Sequence, residues 1–312
     1  LLFSLVLFSC TKKNDVSPRQ TTGKINTISV IVDDQLWNGE IGDSIRNKFA
    51  APVVGLPQEE PLFTINQYPI KLLEGFAIDS RAIIIVKKDA INKFEIHKNE
   101  YASPQNVFHI SGKTSADILK IIEKNAPKII QTIKETEITE NQRIISQSLL
   151  NTKTITNKFH ISLKIPKGYL YVLQENNFVW LKKEITSGNT SILIYQVPIS
   201  SIKKDPNAIA NIIKMRDSIG DLYISGTEPD TRMITEEGYA PYLFKIKLEE
   251  KETYETKGTW ELKNDFMSGP FINYAIVDRE HDRILVLEGF CYSPSKDERD
   301  LMHELESIIK SI

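Results

Sequence analysis

Alternating apolar and polar positions predict strands in the first part of the chain. The run Lys24–Val32 alternates β-branched residues with polar ones, as a half-buried strand does. Similar runs predict strands at Leu62–Gln67, Arg81–Lys88 and Asn106–Ile110. Between the first two strands, apolar residues at helical spacing predict a helix that ends before Pro52.

Helical spacing dominates the segment that follows. Isoleucines from Ile118 to Ile133 fall on one side of a helix, which predicts a buried face, and Pro127 is expected to kink it. The same spacing continues to about Leu150. The polar run Asn151–Lys158 has no periodicity, and we expect it to be the junction between two halves of the protein.

Strand and turn signals then alternate, which predicts an antiparallel sheet. The predicted strands are Phe159–Ile165, Tyr169–Gln174, Phe178–Glu184, Ser191–Val197, Tyr242–Glu249, Tyr254–Leu262, Ile272–Asp278 and Arg283–Phe290. A helix capped by Asp205 separates the fourth of these strands from the fifth. The final helix is predicted to start at a capping box made of Ser295 and Glu298, with an apolar face from Leu301 to Ile312.

These elements predict an α+β protein of two halves, residues 24–150 and 151–312. Each half is expected to contain a mainly antiparallel sheet packed with long amphipathic helices. The length of 312 residues and the hydrophobic content of 41% are sufficient for two cores. The formal net charge of -2 provides no general attraction for nucleic acid, so we expect no nucleic-acid partner.

The first ten residues predict where the protein is located. Residues 1–9 are apolar but too few to span a bilayer, as in the remnant of a signal peptide. The sequence Leu7-Phe8-Ser9-Cys10 has the pattern of a lipobox, which predicts acylation of Cys10 and a membrane partner reached through that anchor. Residues 10–23 are expected to form a lipid-anchored linker. Thr11 favours an outer membrane lipoprotein of the cell envelope that faces the periplasm.

Catalytic and metal-binding motifs are incomplete in this sequence. The segment Ser111–Thr114 lacks the first glycine of a phosphate-binding loop, because Val107 occupies that position. His303 begins a zinc-protease motif, but Ser307 replaces the second histidine. Cys291 lies on the apolar face of its strand, as a buried thiol does. We therefore expect no catalytic residue, no metal site and no cofactor.

The most unusual local composition lies in the first half. A rigid proline-rich loop with aromatic anchors suits recognition of a partner. The residues expected to form this partner-binding surface are Trp37, Gly55, Pro57, Glu59, Glu60 and Phe63. The role expected from such a surface is that of a binding or assembly subunit in outer-membrane biogenesis or transport, with another envelope protein as the partner.

Two other functions are compatible with the sequence. A periplasmic hydrolase for glycans or peptides would use paired carboxylates as acid and base. Its candidate carboxylates are Asp33, Asp34, Glu40, Asp43, Glu59 and Glu60. A carrier of lipid or of another small ligand would instead need a large apolar cavity between sheet and helices.

Several segments carry a family resemblance: Gly23-Lys24-Ile25, Asp33-Asp34, Leu36-Trp37-Asn38-Gly39, Ala50-Ala51-Pro52-Val53, Gly55-Leu56-Pro57-Gln58-Glu59-Glu60-Pro61-Leu62-Phe63 and Leu287-Glu288-Gly289-Phe290-Cys291-Tyr292-Ser293-Pro294-Ser295-Lys296-Asp297. Together they resemble the Bacteroidetes lipoprotein family known as domain of unknown function family 4837, with coverage from about Gly23 to the C-terminus. The resemblance implies an envelope lipoprotein and implies no catalytic residue, substrate or cofactor. At the level of fold, the second half resembles the PsbP and Mog1 sandwiches, which implies a binding or assembly role.

Overall fold

The computed structural model describes residues 19–202 and 207–312. The expected signal-peptide remnant, the lipid acceptor Cys10, most of the linker and the predicted helix cap Asp205 lie outside the described residues. Within the described residues, two sheets and six α-helices form the framework. The α+β class in two halves is therefore confirmed.

The first sheet contains five strands: β1 Thr27–Val32, β2 Thr64–Tyr68, β3 Ala82–Lys88, β4 Lys93–Lys98 and β5 Asn106–Gly112. Their order across the sheet is β2-β1-β3-β5-β4. Only β4 runs antiparallel to its neighbour, and the other three pairings are parallel. The strand directions in this half thus differ from the expected pattern, because the connections from β1 to β2, β2 to β3 and β3 to β5 each return the chain to the same end of the sheet.

Strand β4 was not predicted from the sequence. Phe94 and Ile96 pack against the core that lies under the helices, so the alternation is real but short. Glu95 and His97 therefore lie on the opposite face of the sheet. This placement has consequences for the histidines, which are described below.

Three helices belong to the first half: α1 Asp34–Trp37, α2 Glu40–Phe49 and α3 Ser115–Ile145. Helix α3 begins with a capping box, in which Thr114 accepts a hydrogen bond from the backbone of Asp117 and the Asp117 side chain accepts one from the backbone of Thr114. It continues as one helix through Pro127. Its isoleucines pack on the first sheet, as their spacing predicts.

The second sheet has eight strands: β6 Leu170–Gln174, β7 Phe178–Ile185, β8 Gly188–Pro198, β9 Arg232–Thr235, β10 Tyr242–Leu248, β11 Lys251–Lys263, β12 Ser268–Asp278 and β13 Arg283–Tyr292. Seven of them follow the order β10-β11-β12-β13-β8-β7-β6, and β9 pairs with β11. Every pairing is antiparallel, as expected for this half.

Helices cover both faces of the second sheet. They are α4 Lys153–Phe159, α5 Ala208–Tyr223 and α6 Arg299–Ile309. Helix α5 packs on one face, and α4 and α6 pack on the other. In residues 19–202 and 207–312, none of the helices combines the length and the apolar character needed to cross a membrane.

The segment between the halves differs from its prediction. The expected polar junction contains helix α4, which docks into the core through Ile155 and Phe159. The predicted strand Phe159–Ile165 does not form, although Leu163 and Ile165 are buried. Alternation here reflects packing of an extended segment on the core of the second half, which periodicity alone cannot distinguish from strand pairing.

Candidate functional site: a cleft between the two halves

Helix α3 of the first half lies against helix α6 of the second half. Asn141 donates a hydrogen bond to the hydroxyl of Ser307 at 3.3 Å, and Gln142 donates one to the backbone carbonyl of Ser307 at 3.0 Å. Ile145, at the end of α3, is buried in the core of the second half. The two halves therefore share a packed and hydrogen-bonded seam.

The proline-rich loop closes this seam at the start of α6. The Glu60 carboxylate accepts hydrogen bonds from the backbone N–H groups of Glu298 at 2.6 Å and Arg299 at 2.9 Å. The predicted capping box of Ser295 and Glu298 is wrong, because no side chain of the helix's own N-terminus caps it. A carboxylate from the other half satisfies these N–H groups and complements the positive end of the helix dipole.

The same loop also docks on the second sheet. Gly55 has a φ of +86°, and a Cβ at this position would lie 2.9 Å from the Cβ of Lys257 on β11. Both the left-handed backbone and the close approach favour glycine. The loop thus forms one wall of a space between α3, α6 and the second sheet.

This space is the inter-half cleft, with a volume of about 740 Å³. The volume lies within the range of about 300–1,000 Å³ that is typical of small-molecule sites. One part of its wall is apolar and includes Val54, Leu56, Ile130, Ile138, Phe271 and Met302. A cleft with a broad apolar wall suits a ligand that carries hydrocarbon.

The polar part of the cleft is mainly basic. The cationic residues in its wall are Lys134, Lys247, Lys257, Arg299 and Lys310, whereas the carboxylates are Glu135 and Glu306. The walls come from α3, β10, β11 and α6, so distant parts of the chain supply the charges. Lys247, Lys257 and Arg299 are paired with Glu250, Glu255 and Asp300, and Lys310 with Glu306. The remaining cation, Lys134, is the charge that favours an anionic ligand.

Glu306 is the centre of the hydrogen-bond network in the cleft. It accepts hydrogen bonds from the ammonium of Lys310 at 2.6 Å and the hydroxyl of Tyr274 at 3.1 Å, and the ammonium of Lys257 lies 3.5 Å away. Although burial opposes its charge, these lysines hold the pKa of Glu306 well below its usual range. The pKa of Tyr274 is raised, first by burial and then by the negative charge of Glu306.

Lys134 is the cation that this network leaves unpaired. No carboxylate lies within ion-pair distance of its ammonium among the described residues. The side chain of Lys134 is exposed overall, and partial desolvation followed by the neighbouring charge of Lys257 lowers its pKa. His303 also lines the cleft, and its Nε2 atom is buried without a hydrogen-bond partner in the described part of the chain. The Lys134 ammonium is therefore available to a ligand, whereas Nε2 of His303 has no accessible surface.

The residues predicted to bind a partner are divided among three environments. Pro57 and Glu59 are exposed near the tip of the loop. Trp37 is half-buried beneath the guanidinium of Arg46, at 4.4 Å from the ring centroid. Gly55, Glu60 and Phe63 serve internal contacts: Gly55 on β11, Glu60 as the cap of α6 and Phe63 in the first core. Only part of the expected surface therefore faces solvent.

The carboxylates proposed for a hydrolase do not converge. Glu60 caps α6, Asp43 pairs with Arg46 at 2.7 Å, and Asp34 accepts a hydrogen bond from Gln67 at 3.3 Å. Asp33, Glu40 and Glu59 are exposed, and none of the six lines the inter-half cleft. No geometry in the described residues supports the hydrolase hypothesis with these groups.

Sequence reasoning missed the charged residues of the cleft. One signal was available, because Arg299, His303, Glu306 and Lys310 follow helical spacing and form a polar stripe on α6. Lys134 and Lys257 had no such signal, since each is one of many polar residues on its own element. Only the tertiary fold brings them to the stripe.

Family comparisons divide the chain where α3 ends. Residues 148–311, more than half of the chain, match the model described as Domain of unknown function (DUF4837). The chain belongs to this family. Residues 21–146 match a different model, described as Domain of unknown function (DUF8532). The expected coverage by family 4837 from Gly23 onward is therefore too long, and the loop from Gly55 to Phe63 lies in the segment matched by the second model.

More distant comparisons add little to the family assignment. Comparison with curated proteins finds none that matches this chain. Human StAR-related lipid transfer protein 5 is a solved structure that aligns at 6% identity, over 57% of this chain and 95% of its own chain, with a TM-score of 0.21. A similarity this weak carries no argument about fold or function.

Proposed function

We propose that this member of the DUF4837 family binds an anionic amphiphile, a hydrocarbon chain with a negatively charged head, in the inter-half cleft. Unpaired Lys134 carries the proposal, because its ammonium lies beside Lys257 in a space that also has an apolar wall. An anionic head near Lys134 would offset the repulsion between the two lysines. The hydrocarbon would cover the apolar wall.

The location that we propose is the bacterial cell envelope. The lipobox ending at Cys10 supports a lipid-anchored outer membrane protein that faces the periplasm, as in the Bacteroidetes lipoproteins. Such an anchor would keep the cleft near a membrane, where amphiphiles are concentrated. The protein would act as a binding subunit or carrier in outer-membrane biogenesis or transport.

Palmitate is the probe for testing the cleft. We expect the protein to bind palmitate in isothermal titration calorimetry and the Lys134→Gln variant to bind it about tenfold more weakly or worse. A lost charge-assisted hydrogen bond costs about 1.5–3 kcal/mol, and each 1.4 kcal/mol changes affinity tenfold. Lys124→Gln is the matched control, since Lys124 is an exposed lysine of α3 that does not line the cleft.

Two further ligands test the negative charge and the hydrocarbon chain separately. Palmitate methyl ester keeps the hydrocarbon but has no charge, so we expect it to bind at least tenfold more weakly than palmitate. Inorganic phosphate keeps negative charge without hydrocarbon and should bind much more weakly still. Equal binding of the ester and the acid, or no loss in the Lys134→Gln variant, would contradict an anionic amphiphile in this cleft.

A second candidate function is recognition of another envelope protein. The observation that favours it is the exposure of Pro57 and Glu59 near the tip of the loop that joins the halves. If this tip binds a partner, a variant with Pro57→Ala and Glu59→Ala should lose that protein in a detergent pull-down from the native envelope. Retention of every co-purifying protein by this variant would remove the candidate.

A further inference from the structure

Two histidines that lie far apart in the sequence meet on the outer face of the first sheet. His97 is on β4 and His109 is on the neighbouring strand β5, where it lies directly opposite Glu95. Their rings are tilted toward each other, with centroids 4.7 Å apart. Glu100, in the loop after β4, completes the group.

The potential ligand atoms converge on a single carboxylate oxygen. The Oε2 atom of Glu100 lies 3.0 Å from Nδ1 of His97 and 2.7 Å from Nε2 of His109. All three groups offer a ligand atom within 4.8 Å of the others. Nitrogen and carboxylate ligands this close together match the donor sets of zinc sites.

Neighbouring side chains are placed as supporting residues of a metal site usually are. The other ring nitrogen of His97, Nε2, lies 3.5 Å from a carboxylate oxygen of Glu95. Glu95 is also paired with Lys93 at 2.8 Å through its other oxygen, so the oxygen that faces His97 remains to orient the ring and make Nδ1 a stronger ligand. Tyr101 forms a side-chain hydrogen bond with Glu100, which restricts the orientation of the third ligand.

We propose that His97, His109 and Glu100 bind a divalent transition metal ion of the zinc type at the β4–β5 edge of the first sheet. The three side chains are only partly exposed to solvent, between 25% and 45%. Three protein ligands leave the fourth position of a tetrahedral ion to water or to an external ligand. The ion would also fix the loop of Glu100 to the two strands.

A second group of similar composition provides a contrast. Asp278, Glu280 and His281 also lie within 4.8 Å of one another. However, Asp278 is already paired with Lys251 at 2.8 Å and Arg283 at 2.8 Å. These fixed cations would repel a metal ion, so His281 is a control residue rather than a ligand.

Zinc binding to the full chain tests the proposal directly. After treatment with EDTA and removal of the chelator, titration with Zn²⁺ should show one tight site per chain. His97→Ala and His109→Ala should each remove this site, whereas His281→Ala should leave it unchanged. Replacement of Zn²⁺ by Co²⁺ should give the visible absorption of a tetrahedral nitrogen–oxygen site, and this spectrum should be lost in the same two variants.

Glu95→Gln tests whether Glu95 positions the ring of His97 as a metal ligand. It should keep one site per chain but weaken zinc binding about 10–100-fold. Circular dichroism of the metal-stripped variants verifies that they are folded. Failure of the wild-type chain to bind Zn²⁺ tightly, or tight binding that survives the combined His97→Ala and His109→Ala changes, would overturn the proposal.

Discussion

The two ends of helix α6 hold carboxylates whose pKa values are shifted in opposite directions. Glu298, 8% exposed at the N-terminal end, has desolvation as its largest influence and the negative charge of Glu60 as the next, which raise its pKa to about 7. Glu306, near the C-terminal end, has a pKa well below its usual range because of Lys257 and Lys310. Burial opposes the charge at both sites, so the neighbouring charges decide which carboxylate is ionised.

This difference has functional meaning. The C-terminal end combines fixed charges with the inter-half cleft, as a binding site requires. At the N-terminal end, Glu298 faces Glu60 from the loop and Cys291 from β13, with the thiol 3.8 Å from a carboxylate oxygen. Burial raises the pKa of this thiol. Both ends of α6 therefore contact the first half, and the C-terminal end combines this contact with the fixed charges of the cleft.

The largest expected effect comes from a substitution that removes the cation of a buried ion pair. Glu137 of α3 is fully buried, and Arg81 donates to its two oxygens at 2.8 and 3.0 Å. Arg81→Met would leave this charge without its cation, so we expect the free energy of unfolding in urea to fall by about 3–5 kcal/mol.

A double variant tests whether this loss of stability comes from the unpaired charge. Changing Arg81 and Glu137 together to methionine removes both charges, and the loss should be smaller than in Arg81→Met alone. If the single variant were as stable as the double variant, an unpaired carboxylate would be tolerated at this buried site of the first half. Buried carboxylates would then not need a neighbouring cation, as Glu306 is argued to do.

The next largest effect concerns the pH dependence of stability, to which the carboxylates at the two ends of α6 contribute with opposite sign. Since Glu298 has a higher pKa in the folded chain than its usual 4.5, its contribution to stability is complete below pH 4.5 and declines as pH rises toward about 7. The decline is at most about 3–4 kcal/mol, since each pKa unit corresponds to about 1.36 kcal/mol. Glu306 acts the other way, and its contribution declines as pH falls below its usual 4.5.

Glu298→Gln isolates the first of these contributions. The variant should lose less stability than the wild type between pH 5 and pH 8, measured as the free energy of unfolding in urea. Asp297→Asn is the matched control, because Asp297 is an exposed carboxylate adjacent in sequence. An unchanged pH dependence in Glu298→Gln would mean that Glu298 is ionised in the folded chain throughout this range.

Much of the fold was accessible from the sequence, whereas the functional sites were less so. Periodicity located α3, α6 and seven of the eight strands of the second sheet, since each repeats one pattern over many residues, but it missed β9. The short strand β4 was missed, and with it the pairing of His97 with His109. The inter-half cleft and the histidine pair both depend on which helices and strands become neighbours in the fold. The local pattern of apolar and polar residues does not show this.

The proline-rich loop also shows that sequence pattern does not reveal contacts between distant segments. Its composition identified it as a special segment, and Glu60 was among its candidate residues. The structure assigns the Glu60 carboxylate to the N-terminus of a helix that begins 239 residues later. A backbone cap across such a separation has no sequence signature, because any acidic residue in a nearby loop can supply it.

The smallest expected effect tests how strongly the lysines alone hold Glu306. Tyr274→Phe removes one hydroxyl donor to Glu306 but leaves Lys257 and Lys310 in place. We expect the free energy of unfolding to fall by only about 1 kcal/mol, the usual net contribution of one hydrogen bond. Tyr171→Phe is the matched control, since the Tyr171 hydroxyl donates to the backbone carbonyl of Asn151 near the surface, where water can replace it. A loss several times larger in Tyr274→Phe would show that Glu306 depends on the tyrosine as much as on its cations. The lysines alone would then not explain why the pKa of Glu306 is low and that of Glu298 is high.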